Sequence, residues 1–70
     1  MREDYRTIIK EARISQGLSQ NKLAKLVGIS QPFMREIENG RKNPSIDVLF
    51  RICDVLGIEI TFTVKPASFG

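Results

Sequence analysis

The chain has 70 residues, 41% hydrophobic and 27% charged, with a formal net charge of +3 and a pI near 9.4. That length holds one small domain, the composition argues against a disordered polymer, and the mild basic excess suits an anionic partner without requiring one. Cys53 has no second cysteine to pair with, and the absence of histidine removes both a plausible zinc site and the usual general base.

In chain order, the opening MREDYR carries both signs of charge and leads into only a short apolar run. No secretory signal or membrane span is expected, which places the protein in the cytoplasm with no membrane partner. Apolar periodicity predicts four helices, at about 5–16, 20–27, 31–39 and 46–56. Asp4, Ser19, Ser30 and Ser45 stand where N-caps belong, and Gly17, Gly28, Gly40 and Gly57 follow the four segments. The first helix puts Tyr5, Ile8, Ile9 and Ala12 on one face, with Arg13 beside that stripe rather than opposite it.

Residues 20–39, QNKLAKLVGISQPFMREIEN, read as two short helices around a tight turn at Gly28. Leu23, Ala24 and Val27 face inward from the first, and Met34 and Ile37 from the second. Pro32 is tolerated because the first N–H groups of a helix lack intrahelical acceptors. This arrangement resembles the helix-turn-helix of the lambda repressor and Cro class. The last predicted helix is apolar over roughly 220° of arc, about twice the stripe that a surface helix needs, which implies a second packing surface.

After Gly57 the period changes to two. Ile58, Ile60, Phe62 and Val64 alternate with polar residues until Pro66, predicting a strand over 58–65. It is the only predicted strand, so its expected partner is the same strand of a second copy, in a ribbon across a homodimer. An extended tail lying on its own domain is the alternative. The resulting reading is a mostly α fold, lambda-repressor-like, with a DNA-binding domain at 1–57, a dimerisation strand at 58–66 and a loose tail at 67–70.

No catalytic constellation, phosphate loop or cofactor site is visible, so an enzyme is not expected. On the outward face of the third helix, Gln31, Pro32, Phe33, Arg35 and Glu36 are the candidate base readers. Gln can pair with adenine, Arg with guanine and Glu with cytosine, and Phe33 can touch a thymine methyl. Gln20, Ser30, Asn39, Arg41, Lys42 and Asn43 are the candidate phosphate contacts. The bland alternative for both sets is a solvated surface. Arg13 and Glu38 read as a structural ion pair locking the first helix to the third.

Together, Arg13, LSQNKLA at 18–24, VGIS at 27–30, IENG at 37–40 and NPS at 43–45 resemble the Cro/C1-type, or xenobiotic-response-element, helix-turn-helix family. The resemblance covers about residues 5–57 and implies a helical domain that binds operator DNA as a dimer, with reading from Gln31 onward. Pro32 and Phe33 depart from the small or polar residues common there. The ending LGIEITFTV resembles the HipB-like antitoxins, which implies autorepression and a HipA-type kinase toxin as partner. A stand-alone repressor, a restriction–modification controller, or a module that mainly masks a toxin are the alternatives.

Overall fold

Each helix starts on a side-chain oxygen. In the computed structural model, which describes residues 4–62, 64 and 66, α1 spans Tyr5–Ser15, α2 Gln20–Val27, α3 Gln31–Glu38 and α4 Ile46–Leu56. Asp4 Oδ1 accepts from the Arg6 N–H at 3.2 Å. The hydroxyl oxygens of Ser19, Ser30 and Ser45 accept from Lys22, Phe33 and Val48 at 3.0, 3.2 and 3.2 Å. Each cap satisfies a donor that has no partner within its helix and contributes about 1 kcal/mol. α1 and α3 stop one residue earlier than their periodicity suggests, because Gln16 and Asn39 serve as C-caps.

The turn of the two-helix unit depends on Gly28. Its φ is +90°, and its N–H donates to Ala24 O at 2.8 Å, closing the end of α2. A β-carbon here would meet Arg51 Nη1 at 3.3 Å. That guanidinium already donates to Val27 O at 2.9 Å, so it cannot retreat without losing a bond. Gly28→Ala is therefore expected to cost at least the ~1–2 kcal/mol of placing an L side chain in left-handed backbone. A urea titration showing an unchanged midpoint would contradict this.

The core is drawn from all four helices. Leu23, Met34, Ile37 and Ile52 are completely buried and Ile9 nearly so, with Ala24, Val27, Val48 and Leu56 around them. α2 packs on α3 and α4, and α1 packs on the same two helices. The wide apolar arc of α4 is only partly consumed in this way. Val48, Ile52, Cys53 and Leu56 are buried, whereas Ile46 stays 67% and Phe50 43% exposed. Burial pushes the Cys53 thiol up from its ordinary value, making it a poor nucleophile.

The predicted strand carries no ladder among the described residues. Extended backbone needs a neighbour to pair with, and the helices of this one chain offer none. Its first residue is used internally: Ile58 N–H donates to Cys53 O at 2.8 Å, and its side chain packs against the core. Beyond it, Ile60, Phe62 and Val64 are 39%, 77% and 93% exposed. Between Ile60 and Phe62 on one side and α1 and α4 on the other lies an apolar cleft of about 310 Å³, bordered by Tyr5, Ile8, Ile46, Leu49 and Phe50. Thr63, Lys65 and the expected tail at 67–70 lie outside the described residues. Among the described residues, no helix is long and apolar enough to cross a membrane.

Candidate nucleic-acid interface

The outer face of α3 is built from the inside out, starting with an ion pair. Arg13 Nε donates to Glu38 Oε2 at 2.8 Å and Arg13 Nη2 to Glu38 Oε1 at 3.0 Å. The Glu38 side chain is 1% exposed and that of Arg13 11%. Arg13 Nη1 also donates to Leu18 O at 2.8 Å, holding the loop between α1 and α2. A carboxylate and guanidinium this well enclosed are tolerable only because each is matched in a fork and bonded elsewhere as well.

The same carboxylate dictates how two glutamines are turned. Gln20 Nε2 donates to Glu38 Oε1 at 3.0 Å, and a carboxylate accepts only, so Gln20 must aim its NH₂ inward. Its Oε1 then accepts from Gln31 Nε2 at 3.2 Å. Gln31 is left with Oε1 and one N–H, the acceptor–donor pair that an adenine edge takes in the major groove. The relay Glu38–Gln20–Gln31 thus converts a buried charge into an oriented group at the first turn of α3.

The other candidate base readers differ in what they can offer. Pro32 and Arg35 are exposed, and Glu36 is half-exposed. Phe33 is half-buried and packs against the core, so its ring is partly committed to the fold.

The candidate phosphate contacts are similarly uneven. Ser30 is exposed, and although its oxygen caps Phe33, its O–H remains free to donate. The backbone of α3 supplies less than a helix N-terminus usually does. Pro32 has no N–H, Phe33 N–H is held by Ser30 Oγ, and Met34 N–H donates to Ser30 O. At α2, Ser19 takes the N–H groups of Lys22 and Leu23, so the donors that these bonds leave over belong to Gln20 and Asn21. The periodic pattern gave no reason to single out Asn21; its position at the N-terminal end of α2 is the relevant signal.

Asn39, Arg41, Lys42 and Asn43 are exposed at and after the end of α3. The N–H groups of Arg41 and Lys42 both donate to Glu36 O, at 2.9 and 3.3 Å, so what these two residues have left to offer is their side chains. Arg6, which the sequence does not single out, crosses from α1 to this loop. Its Nη1 donates to Ile37 O at 2.7 Å and Lys42 O at 3.1 Å, and its Nη2 donates to Asn43 Oδ1.

A family profile for the helix-turn-helix matches residues 9–62. The chain is 41% identical over 54 residues to an uncharacterized HTH-type transcriptional regulator of Methanothermobacter thermautotrophicus, covering 77% of this chain and 78% of that one. It is 33% identical over 68 residues to the transcriptional regulator ClgR of Mycobacterium tuberculosis, covering 97% of this chain and 61% of that protein. It is also 36% identical over 53 residues to the ImmF control region 10 kDa protein of Bacillus phage phi105, covering 76% and 59% respectively. The chain therefore spans about six-tenths of the length of the latter two relatives.

Proposed function

The chain belongs to the Cro/C1-type helix-turn-helix family of DNA-binding transcriptional regulators, and from that premise we propose that it is a sequence-specific repressor acting in the cytoplasm as a homodimer on a palindromic operator. The observation that carries this reading is the Gln31 amide, held by Gln20 with its adenine-pairing edge free at the first turn of α3. Gln31, Pro32, Phe33, Arg35 and Glu36 would meet base edges. The hydroxyl of Ser30, the N–H of Gln20 and the side chains of Asn39, Arg41, Lys42 and Asn43 would meet phosphates. The exposed Ile60, Phe62 and Val64 support pairing of the C-terminal segment across the dimer, with the neighbouring Ile46 and Phe50 able to extend the contact. Ile58 would contribute less, because it already packs against its own core.

Selection from a randomised duplex pool, followed by footprinting of the recovered site, tests the proposal. Two half-sites about one helical turn, ~34 Å, apart are expected, with affinity falling steeply as salt rises. Gln31→Ala should relax the preference at one base pair per half-site at a cost of about 1–3 kcal/mol. No enrichment from the pool at low salt would overturn the reading. A second reading, in which the repressor is also the antitoxin of a HipA-type kinase toxin, is favoured by the tail LGIEITFTV and its exposed apolar residues. It requires the product of a neighbouring gene to copurify and be neutralised. Without such a product, a stand-alone regulator or a restriction–modification controller stands in its place.

A further inference from the structure

We infer that Arg6, on α1, is a positioning residue for DNA binding: it sets the α3–α4 loop and turns the Asn43 amide so that its NH₂ is the end offered to a phosphate. The inference rests on the DNA-binding reading above and deepens it. Arg6 is 31 to 37 residues away in sequence from the groups it holds, and its side chain is only 15% exposed. One guanidinium nitrogen bridges Ile37 O, in the last turn of α3, and Lys42 O, in the loop that follows. A cation at a helix C-terminus is favourable, because the terminal carbonyls carry the negative end of the helix dipole. Here the cation comes from a different helix and so fixes the loop against α1.

Donor–acceptor bookkeeping then sets Asn43. Guanidinium groups only donate, so Arg6 Nη2 can be met only by the Asn43 oxygen. The amide NH₂ is consequently the end left over, and a phosphate only accepts. The Arg41 and Lys42 N–H groups are already spent on Glu36 O, which leaves the Asn43 amide as an oriented donor in the loop beside two cationic side chains. Other groups near Arg6 explain its burial but not its bonds. Asp4 lies 3.7 Å from its Nε, and the Tyr5 ring lies 4.8 Å from its centre. Its stem passes over Gly40, with Cδ and Nε at ordinary contact distance, 3.8 Å, from where a β-carbon would stand.

The test uses the full chain and its selected operator duplex, with affinity measured across a salt series. Arg6→Ala is expected to weaken binding about tenfold at every operator sequence while leaving the slope of log K against log salt nearly unchanged, because the Asn43 amide that Arg6 sets is neutral and only a cation on a phosphate releases a counterion. Asn43→Ala should do the same, and the Arg6→Ala, Asn43→Ala pair should lose no more than either alone. Asn43→Asp keeps an oxygen for Arg6 and leaves the fold intact, yet it presents a second carboxylate oxygen to the phosphate and should bind more weakly than Asn43→Ala. In free Arg6→Ala, amide exchange at Arg41 and Lys42 should speed up. Additive losses from Arg6→Ala and Asn43→Ala, a salt slope lowered by about 1 in Arg6→Ala (the mark of an arginine that meets a phosphate itself), or an Asn43→Asp protein that binds as well as wild type would each overturn the inference while leaving DNA binding standing. Wild-type protein that selects no duplex overturns both.

Discussion

Replacing Glu38 with Ala is expected to remove about 3–5 kcal/mol of stability, because it leaves the Arg13 guanidinium enclosed without its counter-charge. A chain of this size has only about 0.05–0.15 kcal/mol per residue to lose, so the variant should be near its unfolding midpoint at room temperature. At about 4–8 °C per kcal/mol, the melting temperature should fall by tens of degrees. Thermal unfolding followed by circular dichroism measures this directly. Much of the loss is the cost of the stranded partner rather than the worth of the pair, so Arg13→Met combined with Glu38→Leu should recover most of it. Recovery of stability without recovery of function is the informative combination. With no carboxylate to hold Gln20, the Gln31 amide is free to turn, and the double variant should fold yet discriminate less well at the base pair proposed for Gln31. A Glu38→Ala protein as stable as wild type would contradict the assignment of the pair as structural.

The second large effect concerns assembly. Ile60→Lys with Phe62→Lys places two charges where a partner chain would have to desolvate them, and neither side chain belongs to the buried core of its own domain. The four helices should therefore fold unchanged while sedimentation reports a monomer. Binding to an isolated half-site should persist. Binding to the full palindrome should fall by about 10²–10⁴-fold, because the second half-site contact is no longer intramolecular. If sedimentation is unaltered, the interface lies elsewhere, and the exposed Ile46 and Phe50 of α4 are the next residues to change.

What the sequence discloses follows from the range of the interactions. The four N-caps are legible because each bond spans two or three residues. The buried faces of α2 and α3 are legible because 3.6-residue periodicity places Leu23, Val27, Met34 and Ile37 on them. Arg13 and Glu38 each border an apolar stripe, so helical geometry suggests that they approach. The Gln20–Gln31 relay is not legible in the same way, since it depends on which end of the Gln20 amide faces a carboxylate at the far end of α3. Arg6 is less legible still. It looks like any arginine on the side of an amphipathic helix, and only the folded chain brings the carbonyls of Ile37 and Lys42 within its reach. Residues 58–65 mark the opposite case. Their alternation is plain in the sequence, but among the described residues it forms no ladder.

The N-terminus of α3 has little spare backbone to give, because Pro32 has no N–H and Ser30 takes the next two donors. On the proposed reading, grip on the sugar-phosphate chain would then come chiefly from α2, from the side chains of Ser30 and Asn39 and from the loop at 40–43, while the outward side chains of α3 would answer to the bases. Anchoring and reading would thus fall on largely separate side chains. Changes at Pro32, Arg35 or Glu36 would then be expected to redirect the protein to a new operator while its hold on DNA in general survives, which makes those positions the natural ones to randomise when retargeting it.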